Sequence, residues 1–228
     1  MSGFEPEDRG SIPFGSTRWC RKYQNNMKTK LFNIVIYPPL NIIQKAITIS
    51  KKLHRKGGLF ILDNKNYFLH LTLYMVELPV KNIPQVIKTL KDLILKLKPF
   101  TITPTKYEQN ETGYTNITFR RSKQLVQLQK QIVHAIQSWT EGHLREKDQV
   151  QIKKLTKTEQ KNLKQYGYRN VGTLFSPHIT FTKLKKYNPD AFLNIPKTNF
   201  SFRVEKIGLF YLSKHGTCTK LIKIFDLS

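Results

Sequence analysis

Short β-branched and aromatic runs alternate along this chain with longer stretches whose apolar residues recur every three or four positions. The run 32–37 reads as a strand stopped by Pro38 and Pro39. Ile43, Ala46, Ile47 and Leu53 then repeat at helical spacing until Gly57 and Gly58 end the helix. Strands are predicted at 59–62 and 69–76, separated by the turn cluster 63–66. Ile83, Val86, Ile87, Leu90, Leu93, Ile94 and Leu97 form an unbroken stripe, predicting a helix over 82–97 with Asn82 as its cap. After strands at 100–107 and 114–120, Ser122 is placed to cap a helix that carries Leu125, Leu128, Ile132, Ile136 and Trp139 on one side. Strands follow at 178–184, 200–212 and 218–226, with His215 and Gly216 in the last turn.

Two segments fall outside this pattern. Residues 1–30 carry scattered glycine and proline and read as a flexible arm, whose aromatic residues are Phe14, Trp19 and Tyr23. Residues 140–173 are highly charged with weak periodicity, and read as an insertion holding one short helix near 157–166. The remainder, 31–228, is expected to form one domain built from two comparable halves, in an α+β or α/β pattern.

Charge changes the picture more than length does. The 228 residues include 39 Lys and Arg against 15 Asp and Glu, a formal net charge of +24, and such a field attracts polyanions. An apolar fraction of 39% puts the chain among folded proteins, well clear of the disordered class. With two cysteines, Cys20 and Cys218, and no paired Cys or Cys/His cluster, neither a disulfide framework nor a structural zinc site is expected. No signal peptide or membrane span is read, so a cytoplasmic protein without membrane association is expected, as a monomer.

The candidate chemistry lies in two short matching patterns. His70-Leu71-Thr72 and His178-Ile179-Thr180 both read His-apolar-Thr, one in each half and each inside a predicted strand. Side chains alternate along a strand, so histidine and threonine share one face while Leu71 and Ile179 back them from the other. Composition predicts roughly half of one His-x-Thr by chance. Three occur; the third, at 215–217, sits in a turn with glycine between and lacks the strand setting. A single such histidine is more often a silent strand residue than a catalyst. The matched pair reverses that weighting.

These motifs resemble the paired H-x-T/S motifs of the 2H phosphoesterase superfamily, which includes 2′-5′ RNA ligase-like proteins and cyclic phosphodiesterases. The resemblance covers about 30–228 in the order and spacing of elements. It implies a bilobal α+β fold, two antiparallel-rich sheets flanked by helices around a central cleft, with no metal and no cofactor. It implies His70 and His178 as catalytic residues and Thr72 and Thr180 as substrate-binding residues. The chemistry is coherent in itself: cleaving a phosphodiester needs a base for the attacking oxygen and an acid for the leaving one. Imidazole serves both near neutrality and gives a bell-shaped pH profile, while hydroxyls bind nonbridging oxygens. Which histidine is the base stays open at this point.

Further residues are candidates of lesser specificity. Tyr74 and Thr182 continue the two strand alternations and either line the cleft or fill the core. Arg120 and Arg121 end a strand, where a phosphate contact and a solvated strand end are equally good readings. Tyr166, Tyr168, Arg169 and Phe175 mix aromatic and basic character, which suits base stacking as well as packing. Lys153, Lys154, Lys183, Lys185 and Lys186 belong to the basic surface. The expected substrate is RNA or an oligonucleotide, with 2′,3′-cyclic phosphate hydrolysis as the leading reaction. A 2′-5′ linkage hydrolase or ligase, a 3′-end exonuclease, and a noncatalytic basic RNA-binding protein are the alternatives. A small-molecule phosphodiesterase with incidental basicity is a weaker one.

Overall fold

The described residues of the computed structural model are 28–196, 198–213 and 216–228, so Phe14, Trp19, Tyr23, Cys20 and His215 lie outside them. The first predicted strand forms as β1 (Thr29–Ile36), and the two prolines after it do opposite jobs at its end. Pro38 extends the chain, and Pro39 occupies the N-cap of α1 (Leu40–Arg55), where a missing N–H costs nothing. β2 (Leu71–Pro79) leads through a single 3₁₀ turn into α2 (Ile83–Ile94). β3 (Phe100–Ile102), β4 (Pro104–Gln109) and β5 (Tyr114–Phe119) precede α3 (Lys123–Ile136). Ser122 caps α3 as expected, its Oγ accepting from the Leu125 N–H at 3.2 Å.

The charged insertion holds two short helices, α4 (Glu146–Gln151) and α5 (Lys157–Tyr166), rather than the one expected. α5 has both ends written in sequence: Thr156 and Glu159 form a reciprocal capping box, and Gly167 closes the helix in the left-handed region at φ +67°. β6 (His178–Lys183), β7 (Phe202–Val204), β8 (Lys206–Leu212) and β9 (Cys218–Asp226) complete the fold.

Seven strands make one sheet in the order β4-β5-β6-β2-β1-β8-β9, and β3 pairs with β7 in a second. Every pairing is antiparallel. The helices cover one face of the large sheet: α1 packs on β6, α3 on β2, and α2 on α3 and β9. Phe32, Ile34, Ile36, Leu71, Val76, Ile117, Ile179 and Phe181 point into that main core. Val35, Phe210 and Cys218 form a separate small cluster. Ile34 and Val35 are sequence neighbours, so the two clusters occupy opposite sides of β1. The result is an α+β fold of antiparallel sheets flanked by helices.

Two local expectations fail for identifiable reasons. Residues 59–62 form no strand, because their backbone is satisfied elsewhere. The Leu59 N–H donates to the Lys183 carbonyl, Thr182 Oγ1 donates to the Phe60 carbonyl, and the Leu62 N–H donates to Ser50 Oγ. Asn82 does not cap α2. Its Nδ2 donates instead to the Trp139 carbonyl and to Glu141 Oε1, pinning the start of α2 to the end of α3.

The turn between β4 and β5 depends on Gly113, which has φ +91° and whose added Cβ would stand 2.4 Å from the Leu184 carbonyl oxygen. Gly113→Ala is therefore expected to destabilise the protein by at least ~2 kcal/mol, combining a left-handed φ with a steric clash. Thermal unfolding should show a fall of about 4–8 °C. An unchanged midpoint would contradict this account of the turn.

Candidate active site

The two histidine-bearing strands are neighbours in the sheet. β2 and β6 meet at one register pair, Leu71 opposite Ile179, the two middle residues of the motifs. Both are fully buried. Because the strands run oppositely, Thr72 falls beside His178 and His70 beside Thr180, all four on the face away from the main core. β5 extends the two rungs, with Asn116 opposite Thr180 and Thr118 opposite His178. One rung thus reads Asn116, Thr180, His70 and the next Thr118, His178, Thr72.

The two rings are held in the same way. His70 Nδ1 lies 2.8 Å from the Phe68 carbonyl oxygen, and His178 Nδ1 lies 2.8 Å from the Ser176 carbonyl oxygen. A carbonyl only accepts, so each Nδ1 carries the proton, and in the neutral ring the distal Nε2 is left with its lone pair. Burial pushes the His70 imidazole down to about 4; the charge of nearby His178 acts in the same direction, and the Phe68 carbonyl opposes both. The two rings are therefore close enough to feel one another, and His70 is neutral at pH 7.

Each motif threonine is bound by a buried asparagine from the adjacent strand. Asn33 Nδ2 on β1 donates to Thr72 Oγ1 at 2.9 Å, and Thr180 Oγ1 donates to Asn116 Oδ1 on β5 at 2.8 Å. Neither asparagine was expected from the sequence. The available signal is the residue type itself: Asn33 and Asn116 sit inside β-branched runs, each followed by isoleucine, where asparagine is depleted unless it has a task.

The alternation that carried Tyr74 and Thr182 toward the cleft is broken by two β-bulges. Across β1, Ile34 pairs with Tyr74 but its neighbour Val35 pairs with Thr72, leaving Leu73 as the extra residue. Across β5, Thr115 pairs with Thr182 and Asn116 with Thr180, leaving Phe181 extra. An extra residue reverses the facing of the positions beyond it. Tyr74 is therefore fully buried, its hydroxyl donating to the Tyr166 carbonyl and its ring edge-on to Tyr168. Thr182 is also fully buried, its hydroxyl spent on Phe60. Tyr168 too is enclosed, with the Arg145 guanidinium over its ring. All three are core residues rather than substrate contacts. Arg120 is exposed just past the end of β5, while Arg121 donates to the Gly172 carbonyl. Among the described residues, no group of three or more His, Cys, Asp or Glu is placed to hold a metal ion.

A family described as a protein of unknown function, DUF1045, matches residues 77–214. The chain belongs to that family. The matched stretch of this DUF1045 protein contains the second motif and starts just after the first. No curated protein sequence matches the chain. Among solved structures, E. coli LigT complexed with 3′-AMP superposes with a TM-score of 0.58 at 18% identity, covering 88% of this chain and 99% of that one. A phosphoesterase superposes at 0.57 with 16% identity, covering 88% and 99%. TT0787 of Thermus thermophilus superposes at 0.56 with 17% identity, covering 86% and 97%. At these identities the likeness is one of fold, shared with LigT and with that phosphoesterase.

Titration of the two imidazoles by NMR tests the electrostatics of the pair. His70 should titrate near pH 4, and removing the second charge in His178→Ala should move it upward. A His70 midpoint at the ordinary value near 6.5, unmoved by the substitution, would contradict the arrangement.

Proposed function

We propose that this DUF1045 protein is a phosphodiesterase that needs no metal and acts on RNA ends or oligonucleotides, opening terminal 2′,3′-cyclic phosphates to 2′-phosphates. The observation carrying the proposal is the pairing of Leu71 with Ile179, which lays two carbonyl-anchored imidazoles side by side on one surface. His70, neutral above about pH 4, takes the proton from the attacking water through Nε2. The proton-donating role falls to His178, which protonates the departing 3′ oxygen as the phosphorus–oxygen bond breaks. Thr72 donates a hydrogen bond to the negative charge gathering on the phosphoryl oxygens. Proton exchange with solvent then resets both rings.

Two observations support a nucleotide substrate. The net charge of +24 draws polyanions to the protein, and the similar LigT structure holds 3′-AMP. Arg120, exposed just beyond the end of β5, is available to a phosphate. In a protein that only binds RNA, the histidine pair would be dispensable and binding would survive its removal.

The test offers purified protein oligonucleotides ended in 2′,3′-cyclic phosphate, 2′-5′-linked and 3′-5′-linked, with EDTA present, and reads the products by mass. Cyclic-phosphate ends should open to 2′-phosphates. His70→Ala and His178→Ala should each lose ~10²–10⁴-fold in rate. On the acid side the rate should fall as pH drops through about 4, where His70 gains the proton that disables it as a base. A His70→Ala variant at near-full rate, or activity abolished by EDTA, would overturn the proposal.

A further inference from the structure

The two motif threonines are not equivalent, because their asparagines bind them with opposite polarity. Asn33 gives Thr72 a hydrogen bond, so the Thr72 hydroxyl proton stays free to donate outward. Asn33 is fully buried, and its Nδ2 also faces Cys218 Sγ at 3.6 Å. Turning this amide over would bury two N–H donors without acceptors in place of one carbonyl oxygen, the costlier arrangement. Thr180, in contrast, spends its proton on Asn116 Oδ1. An anion on that rung finds no donor at Thr180.

The amide of Asn116 supplies what Thr180 lacks. With its Oδ1 fixed by Thr180, its Nδ2 points away from that bond and makes no hydrogen bond to the described residues. The sealed side-chain nitrogens and oxygens without partners, among the described residues, are Asn33 Oδ1 and Thr198 Oγ1. Asn116 Nδ2 therefore keeps its contact with solvent, although the residue as a whole is 4% exposed. It stands on the His70 rung, one strand beyond Thr180.

We infer that Asn116 is a phosphate-binding residue of this site: its Nδ2 donates to a nonbridging phosphoryl oxygen, while Thr180 serves to aim it. The inference rests on the proposed phosphodiester chemistry only for the identity of the anion, since inorganic phosphate probes the same donor.

Asn116→Asp and Asn116→Leu together separate the two roles. The carboxylate still accepts from Thr180, so the anchoring bond survives, but both N–H donors are gone. Asn116→Leu removes the donor without adding charge. Inorganic phosphate is titrated into wild-type protein and both variants by calorimetry, with thermal unfolding as the check on folding. In the wild type, the Asn116 side-chain amide resonances are followed by NMR, a reading that needs no variant to fold. The amide protons should shift on adding phosphate, and each variant should bind phosphate at least ~10-fold more weakly, the loss of a hydrogen bond to a charged group. Either variant, and above all the uncharged Asn116→Leu, binding phosphate within twofold of wild type would overturn the inference, as would a wild type that binds no phosphate, or binds it with the Asn116 amide unmoved. A wild type that binds phosphate in this way but leaves cyclic-phosphate ends intact would sink the catalytic proposal and leave Asn116 as an anion ligand.

Discussion

A single antiparallel contact, Leu71 against Ile179, holds the two candidate half-sites together. β2 and β6 pair in register at that one position, so the large sheet is joined there by a single register pair between β2 and β6. Both residues are wholly apolar and wholly buried, and burying each stabilises the join by about 1.5–3 kcal/mol. Antiparallel geometry then dictates the rest: a histidine from one strand must face a threonine from the other, twice. Slipping either strand by one residue would turn its imidazole into the core.

The surroundings of the two motif strands match beyond the motifs. Each histidine is tied by Nδ1 to the carbonyl two residues earlier, each threonine is bonded to a buried asparagine, and each strand bulges at the residue after threonine. The bulge ends the site sharply, sending Tyr74 and Thr182 into packing and keeping the polar surface to two rungs. Within this symmetry the chemistry is unequal. Burial pushes the His70 imidazole down to about 4, and the asparagines bond their threonines in opposite senses. Such inequality is what a pair of identical groups needs to divide acid and base work.

Much of this was legible in the residues. The apolar stripe of α2, the Ser122 cap of α3, the capping box of α5 and the strand setting of both motifs all follow from local patterns. What escaped depends on partners distant in sequence. A bulge is set by the neighbouring strand, so Tyr74 and Thr182 looked like cleft residues by simple alternation. Residues 59–62 have strand composition, yet Ser50, Thr182 and Lys183 take their backbone bonds. Asn82 and Asn116 show the same difficulty in side chains: one abandons a cap to join two helices, the other acquires a role only through the register of β5 on β6.

The fold connects a DUF1045 protein to phosphoesterase architecture at low sequence identity, and the paired imidazoles give that architecture a chemical reading. The most direct measurement is a crystal structure with a nonhydrolysable phosphodiester analogue bound. Both Nε2 atoms should lie within about 2.7–3.2 Å of oxygens on one phosphorus, from opposite sides. A phosphorus held elsewhere, or touched by one ring while the other faces solvent, would contradict the account.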